Sequence, residues 1–512
     1  MFDAIRVSFL RVTTLITLSL LVISCASDSK ITSPMDVIEK ATEIEEPPLS
    51  SQSNLSEEVV SAEVNVIGPE SGIDESVGSS GENKHNSESC DSSKLSNDQM
   101  PALSDFHLSF YRMIWSEDGY PMRDDGFEHP LYPKYVLTHY LAAYERSPSE
   151  ELKSALCRVA HAALRRMEPY KDALVIWYEP NPNYKRLYSR HYSGLTQSYY
   201  ANVLHDVGTL LKDELLLEAS QKSFLSLLIP KEENGVFYQS RFGPTIEEVP
   251  QYPNSYILNG WLSVLQSTWE YWEKSGDSEA RDLVYDSAQA MAKTLPLYDV
   301  DALSNSRYGL TGPVRIRIKE GTITDASVKV PDEGVFGLED VASPTVWQNY
   351  QLDGRTINVV FSLASWPQEN ILTLEVDEAT EVQFCTSEYS PTTDAYLRCA
   401  EWAYLGEASP QKSEITIPWN VVEAAAVPTN FIKVIDGRNT NVYHSVHIRR
   451  LFQLGMGLNL PDLIGWGEKW LQDLCEWDSY ELYEGLSGSK VVDPRYEPQI
   501  NQIQSVPVDQ IC

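Results

Sequence analysis

Two adjacent carboxylates in a proline-bounded loop are the residues of this chain best placed for acid–base chemistry. Residues 246–260 read I-E-E-V-P-Q-Y-P-N-S-Y-I-L-N-G and contain Glu247 and Glu248. Prolines stiffen the loop, and an apolar helix is predicted to follow, capped by Asn254 or Ser255. A carboxylate held rigidly at the start of a helix can act as a catalytic base. The plainer interpretation is a solvated acidic turn.

Pairs of amphipathic helices are predicted before and after this loop. Apolar residues recur there at three- and four-residue spacing, and the pattern returns near the C-terminus. Between residues 312 and 435 the period changes to alternation, as in Val314, Ile316 and Ile318. The pattern predicts a mainly α protein, an α/α toroid built as an incomplete barrel of helical hairpins, with an inserted small all-β, sandwich-like module. An irregular helical bundle is the alternative.

The N-terminal residues have the pattern of an export signal. Arg6 and Arg11 precede an apolar run at 12–23, and the run ends in L-V-I-S-C. The residues before Cys25 resemble the lipobox of bacterial lipoproteins, which implies cleavage before Cys25 and acylation of its thiol. An ordinary signal peptide with an incidental cysteine is the alternative. We expect an exported lipoprotein of the cell envelope, anchored at the outer membrane or cell surface.

The chain of 512 residues is thereby divided into five predicted segments. They are a signal peptide at 1–24, a disordered acidic tether at 25–102, the first part of a helical domain at 103–311, the β module at 312–435, and the second part of the helical domain with a C-terminal tail at 436–512. The tether has almost no aromatic residues, so it cannot bury enough apolar surface to offset its ordering entropy. The net charge of −34 argues against a nucleic acid partner.

Six cysteines follow Cys25, an even number that suits an exported protein. Cys385 and Cys399 lie in strand-like sequence and are the predicted disulfide, and Cys475 and Cys512 could form another. The sequence has no pair of cysteines, or of cysteine and histidine, at zinc-finger spacing. We therefore expect neither a metal nor a cofactor.

Four sequence blocks resemble the C-terminal catalytic region of D-glucuronyl C5-epimerases. They are G-Y-P-M at 119–122, S-G-L-T-Q at 193–197, the loop at 246–260 with L-P-L-Y-D at 295–299, and V-Y-H-S-V-H-I at 442–448. The blocks occur in the same order as in that family. The sequence departs from the family at Val249, where the family has a tyrosine, at Thr311, where an arginine often stands, and in the β insert.

The resemblance implies a C5-epimerase of uronic acid residues, of the D-glucuronyl to L-iduronyl type, acting within a polysaccharide. The catalytic residues of the family map onto Glu248, Tyr308 and Tyr443. Such an enzyme removes the C5 proton from one face and returns a proton to the other, which suits a glutamate base and a tyrosine acid. The residues expected to bind the substrate are Arg190, Gln197, Glu247, Asn259, His444 and His447.

Other roles are open for these residues. Gln197 and Asn259 could tie loops together, and His444 and His447 could be structural or, at this spacing, a metal pair. Glu247 could also raise the pKa of Glu248 by like-charge repulsion.

Two other functions fit the same pattern. A polysaccharide lyase begins with the same proton abstraction and then eliminates the group at C4, and a non-catalytic glycan-binding lipoprotein could share the fold. The negative charge of the chain opposes binding of a polyuronate unless a local basic cleft overrides it. Arg190 with its basic neighbours at 185–186, and Arg449 with Arg450, are the candidates for such a cleft.

Overall fold

The computed structural model describes residues 90, 95–103, 108, 111–180, 190–301, 304–337, 350–351, 354–387, 399–425, 432–435 and 438–476. The helices in this part are α1 (Tyr132–Arg146), α2 (Glu150–Leu164), α3 (Gly194–Leu211), α4 (Glu214–Leu225), α5 (Leu258–Ser275), α6 (Ser278–Tyr298), α7 (Trp419–Ala425), α8 (Val442–Gly457) and α9 (Pro461–Glu476). None of the described helices is both long enough and apolar enough to cross a membrane.

The long helices pack as four hairpins within the described residues: α1 with α2, α3 with α4, α5 with α6, and α8 with α9. The first helices of the hairpins contact one another in the order α1, α3, α5, α8 and form an inner layer. The second helices lie outside, where α2 contacts α4 and α6 contacts α9. The predicted incomplete α/α toroid is therefore confirmed.

Local signals explain most of the helix starts. Ser149 caps α2, because its Oγ accepts a hydrogen bond from the N–H of the third helical residue. Helix α5 is different, since it begins at Leu258 after Ile257, which provides no side-chain cap. The expectation that Asn254 or Ser255 caps α5 is wrong, because the helix begins only at Leu258 and the Ser255 hydroxyl donates to the Glu247 carboxylate instead of accepting a helix N–H.

Most of the strands belong to the segment between α6 and α8. The strands are β1 (Met113–Trp115), β2 (Pro121–Arg123), β3 (Met167–Tyr170), β4 (Ala173–Ile176), β5 (Phe237–Ser240), β6 (Gly243–Ile246), β7 (Asp299–Val300), β8 (Asn305–Ser306), β9 (Thr311–Ile318), β10 (Ile323–Val330), β11 (Gly334–Gly337), β12 (Tyr350–Gln351), β13 (Thr356–Ser362), β14 (Ile371–Val376), β15 (Thr380–Ser387), β16 (Cys399–Ala408), β17 (Ser413–Thr416), β18 (Ile432–Ile435) and β19 (Arg438–Asn441).

Strands β9 to β17 form a sandwich of two antiparallel sheets. One sheet has the order β12-β13-β9-β15-β16 and the other has the order β11-β10-β14-β17. The residues predicted to alternate inward are buried, as Val314, Ile316 and Ile318 are on β9. Pairing of Ile316 with Ile357 and of Val314 with Val359 keeps the apolar residues of both strands on one face. The predicted β insert is thus a sandwich.

The sandwich and the helical hairpins share one continuous apolar core. Buried residues of α5, α6, α8 and α9 form a single cluster with those of both sheets. Backbone hydrogen bonds reinforce the junction, since the Leu310 N–H donates to the Ser255 carbonyl at 3.0 Å and the Leu363 N–H donates to the Leu310 carbonyl at 2.7 Å. The insert is therefore fastened to the loop that carries the two glutamates.

A disulfide that the sequence reasoning did not pair joins Cys90 to Cys157 on α2. The two Cα atoms are 5.9 Å apart, although 67 positions separate the cysteines in the chain. Cys385 and Cys475 are also in disulfides. The side chain of Cys399 and all of Cys512 lie outside the described residues, as does Cys25, so the pairing of Cys385 with Cys399 stays a prediction.

Candidate active site at the start of the inner helices

Glu248 presents a carboxylate that lacks its expected hydrogen-bond partners. The side chain is half-buried, and its Oε2 atom is shielded from solvent without a hydrogen bond. Burial, and secondarily the charge of Glu247, raises the pKa of Glu248 to about 7. A carboxylate with this pKa can both accept and release a proton near neutral pH, which is the property a general base needs.

Gly260 in the first turn of α5 lies directly against the side chain of Glu248. A Cβ atom at Gly260 would lie 2.7 Å from the Cβ atom of Glu248 and even closer to its carboxylate. Only glycine leaves the room that the glutamate occupies. The carboxylate is therefore held at the N-terminal end of α5, as the loop sequence suggested.

Glu247 has the opposite environment although it is the adjacent residue. It is 1% exposed. Its carboxylate accepts hydrogen bonds from the Ser255 N–H at 3.1 Å, the Ser255 hydroxyl at 2.7 Å and the Tyr256 N–H at 3.2 Å. Its predicted role in binding substrate is corrected, because loop groups occupy both carboxylate oxygens. Its predicted effect on the pKa of Glu248 agrees with the direction of that shift.

Glu247 belongs to a group that we call the buried charge cluster, formed by Lys231, Glu247, Asn254, Ser255 and Glu333. The ammonium of Lys231, which is 3% exposed, bonds the Asn254 side-chain carbonyl. Glu333, from the turn between β10 and β11, accepts the Asn254 N–H at 2.7 Å. Burial lowers the pKa of Lys231 to about 8 and raises that of Glu333 to about 7, while the opposite charges counteract both shifts. The insert thus supplies a residue that holds the loop.

Tyr308 and Tyr443 meet beside the same helix start. Their ring centroids are 4.8 Å apart in an edge-to-face arrangement, and both residues are half-buried. The carbonyl of Tyr308 accepts a hydrogen bond from the Leu258 N–H, the first residue of α5, at 2.7 Å. Tyr443 is the second residue of α8. Glu248 and Tyr308 thus lie at the N-terminal end of α5, and Tyr443 lies at that of α8, where the helix dipoles favour developing negative charge. The catalytic roles of the three residues stay a prediction.

Tyr178 also belongs to this region and was not predicted from the sequence. Its ring stacks on His191 with a centroid distance of 5.2 Å, and its hydroxyl bonds the Thr196 hydroxyl at 2.8 Å. Burial raises the pKa of Tyr178, and the charge of Glu248 raises it further. In the sequence Tyr178 follows directly after Trp177, but the sequence does not show which of the two rings lies near Glu248.

The two histidines of the V-Y-H-S-V-H-I block are fully buried. Both Nδ1 atoms lie 2.8 Å from the Ser306 hydroxyl, and Nε2 of His444 lies 3.1 Å from the Trp470 carbonyl. Burial lowers the pKa of His444 to about 3 and lowers that of His447 well below its ordinary value, so both rings are neutral. The prediction that His444 binds substrate is therefore corrected, because both of its ring nitrogens bond the protein and attach α8 to β8 and α9. The Nε2 atom of His447 is buried without a hydrogen-bond partner, so substrate binding by His447 stays a prediction.

Arg190 and Gln197 are also occupied by other parts of the protein. Arg190 is exposed and donates to Glu168 and Glu179, each at 2.7 Å. Gln197 is buried; it accepts from the Ile176 N–H at 3.1 Å, and its amide donates to the Leu174 carbonyl and the Ser226 hydroxyl. The predicted role of Gln197 in substrate binding is corrected, because these contacts use both polar atoms of its side chain. The role of Arg190 stays a prediction, because its exposed ion pairs use only Nε and Nη2.

The role of Asn259 in binding substrate stays a prediction. It lies in the first turn of α5 between Leu258 and Gly260, and its Oδ1 atom is buried without a hydrogen-bond partner. An unpartnered side-chain amide next to Glu248 is suited to a sugar hydroxyl.

The described residues contain one group that resembles a metal site, made by Cys90, Cys157 and His161. The two sulfur atoms are used in the disulfide, and His161 Nε2 lies 2.9 Å from a carboxylate oxygen of Asp213. This group is therefore explained by the packing of α2 against α4.

The segment that contains Glu248 and Tyr308 matches a known family. Residues 174–318 match the family described as D-glucuronyl C5-epimerase C-terminus. The resemblance seen in the sequence is confirmed over this segment, and Tyr443 lies outside it. The match supports an epimerase that acts on carbohydrates.

Solved structures give weaker similarities. The chain is 10% identical to the GH76A alpha-1,6-mannanase from Salegentibacter sp. HEL1_6, with 71% of this chain and 82% of that chain covered and a TM-score of 0.31. It is 9% identical to a sugar epimerase from a ruminal bacterium, with 73% and 85% covered and a TM-score of 0.31. At these scores the two similarities support no inference about activity.

Proposed function

We propose that this protein is a C5-epimerase of uronic acid residues within a polysaccharide. The observation that carries the proposal is the unpartnered, desolvated carboxylate of Glu248, whose pKa is raised to about 7, at the helix start shared with Tyr308 and Tyr443. A base poised near neutral pH and a pair of half-buried phenols are the two kinds of group that the reaction requires.

In the proposed reaction Glu248 takes the proton from C5 of the uronic acid residue. The electrons of the broken C–H bond move into the adjacent carboxylate, which then carries additional negative charge. The N-terminal ends of α5 and α8, together with the hydroxyl of Tyr308, stabilise that charge. Tyr443 donates its hydroxyl proton to C5 from the opposite face, which completes the inversion. Exchange with water returns a proton to the phenolate and removes one from Glu248.

The test follows the proton at C5. A uronic acid polymer incubated with the protein in deuterium oxide should gain deuterium at C5 without chain cleavage, and Glu248→Gln should abolish the gain. Comparing Tyr443→Phe with Tyr308→Phe identifies which tyrosine donates the proton. The variant that lacks the proton donor should lose inversion at C5 more strongly than the variant that lacks the charge-stabilising phenol. A rise in ultraviolet absorbance from unsaturated chain ends would instead identify a polysaccharide lyase. Binding without exchange or cleavage would identify a non-catalytic glycan-binding protein.

The proposal includes the place where the enzyme works. The lipobox-like sequence supports export, acylation at Cys25 and attachment to the outer membrane or cell surface. Expression in a Gram-negative host tests this: the wild-type chain should fractionate with membranes and yield an acylated N-terminal peptide, and Cys25→Ser should be released. Equal fractionation of both proteins would overturn the anchor.

A further inference from the structure

Lys134 is a cation of the inner layer that lacks a carboxylate partner. It lies in the first turn of α1, half-buried, with its Nζ atom 3.9 Å from the ring centroid of Tyr199 on α3 and 5.2 Å from that of Tyr135. None of the ion pairs in the described part of the chain includes Lys134. In a protein with a net charge of −34, a half-buried lysine without a carboxylate partner is unusual.

Arg450 is a second such cation, and it projects from α8. Its Nη1 atom donates to the side-chain carbonyl of Gln266 on α5, whereas its Nε atom is buried without a hydrogen-bond partner. Gln453, one turn further along α8, also has a buried oxygen without a partner. A guanidinium with an unused N–H group can still bind an oxyanion.

Side-chain hydrogen bonds link Arg450 on α8 through α5 to α3, the helix that carries Tyr199. Gln266 donates to one oxygen of Glu270 at 3.0 Å, and Asn202 donates to the other at 2.7 Å. Asn202 lies one turn after Tyr199 on α3, and the ring of Tyr199 lies beneath Lys134. The pKa of Lys134 is lowered to about 8, mainly by burial and then by Arg450, while Glu270 acts in the opposite direction.

Lys274 on α5 shows the contrasting arrangement. Its ammonium donates to Asp206 at 2.7 Å and to the side-chain carbonyl of Asn202 at 2.8 Å. Its charge is neutralised by the protein, as is usual for a helix surface. The charge of Lys134 and Arg450 is neutralised only in part, because Glu270 is their single acidic neighbour in the network and its oxygens are taken by amides.

We propose that Lys134 and Arg450 form a subsite for the acidic group of a sugar residue that flanks the reacting one. The proposal rests on the proposed epimerase function. Arg450 follows Tyr443 by seven residues, which places it about 10 Å further along α8 than the catalytic tyrosine. The subsite takes an oxyanion, either a carboxylate or a sulfate ester.

Binding to an inactive enzyme tests the subsite separately from catalysis. In the Glu248→Gln background, calorimetry compares Lys134→Gln and Arg450→Gln with the control Lys222→Gln, an exposed lysine paired with Glu218, using a hexasaccharide of alternating uronic acid and hexosamine. We expect Lys134→Gln and Arg450→Gln each to weaken binding at least tenfold and the control to change it less than twofold. The same hexasaccharide with reduced carboxyl groups should bind all four proteins equally. A sulfated hexasaccharide with reduced carboxyl groups then shows whether sulfate replaces carboxylate.

The outcomes separate the subsite from the reaction. In the active enzyme Lys134→Gln should raise KM with kcat unchanged within about twofold, and Lys134→Arg should restore KM, since a charge at this position binds rather than reacts. Unchanged affinity in both cation variants, with unchanged melting temperatures, would overturn the subsite. If binding weakens as expected but the wild-type protein exchanges no C5 proton, the subsite stands and the epimerase proposal fails.

Discussion

Glu247 and Glu248 are neighbours in the chain, and the structure gives them opposite environments. The carboxylate of Glu247 is surrounded by donors within the buried charge cluster, whereas that of Glu248 has a buried oxygen without a partner. A buried carboxylate whose oxygens both accept hydrogen bonds from the protein indicates a role in holding the fold together. A buried polar atom without a hydrogen-bond partner indicates a candidate for function. The pair shows that residue type alone does not separate the two roles.

The same contrast explains the other polar residues around the site. Gln197 and His444 were predicted to bind a ligand, but their side-chain polar atoms are already bonded to the protein. Asn259 and Arg450 each have a buried polar atom without a partner. The basic cleft expected for an acidic polymer is therefore assigned to the inner helices.

Removing the unpartnered carboxylate should have the largest effect. Glu248→Gln should lower the rate of C5 exchange about 10³-fold, because the general base is lost while the shape of the side chain is kept. Its melting temperature at pH 8 should be equal to or above that of the wild type, since an unpaired buried charge is removed. Glu247→Gln is the matched control and should melt at a lower temperature. An active Glu248→Gln enzyme would contradict the assignment of the base.

Breaking the buried charge cluster from the insert should affect stability next most strongly. Glu333→Ala removes the acceptor of the Asn254 N–H and an anion beside Lys231, so the free energy of unfolding should fall by about 3 kcal/mol. Urea denaturation measures the change. Glu218→Ala, which removes an exposed pair with Lys222, is the control and should change stability much less. Equal stability of the two variants would show that the insert does not hold the loop.

Filling the space beside Glu248 should affect catalysis with less loss of stability. In Gly260→Ala the new methyl group displaces the carboxylate, and displacement by about 1 Å should reduce the exchange rate on the order of 10²-fold. Gly465→Ala on α9 is the control, since its added methyl group meets no atom within 4 Å. It should keep full activity and gain slightly in stability from the higher helix propensity of alanine. Normal exchange by Gly260→Ala would place the reacting carboxylate elsewhere.

The smallest expected effect is the dependence on pH. With the pKa of Glu248 at about 7, kcat/KM for exchange should rise about tenfold per pH unit below pH 7 and level off above it. The folded-state pKa exceeds the ordinary value of 4.5, so the stabilisation from the protonated carboxyl is complete below pH 4.5 and is lost as pH rises through 7. The stability of Glu248→Gln relative to the wild type should therefore be greater at pH 8 than at pH 5. A rate that is flat from pH 5 to pH 8 would contradict the raised pKa.

Local patterns predicted the elements of the fold well. The helix period located the hairpins, and the alternation of Val314, Ile316 and Ile318 located the sandwich, because these periods reflect which side chains are buried. The start of α5 was predicted too early in the chain. Asn254 and Ser255 are residue types that cap helices, but here they donate hydrogen bonds to the carboxylates of Glu333 and Glu247. The disulfide between Cys90 and Cys157 could not be paired, because many connectivities fit the same spacing.

The sequence by itself determined the types of element, their order, and a short loop in which Glu248 was a plausible base with Tyr308 and Tyr443 as partners. Only the tertiary structure decided which polar groups are satisfied. In the folded protein Ser255 and Tyr256 donate hydrogen bonds to the carboxylate of Glu247, whereas the Oε2 atom of Glu248 has no hydrogen-bond partner. The physical reason is that burial and hydrogen bonding, which set a pKa and leave a group free to react, depend on neighbours that the chain brings together from distant positions.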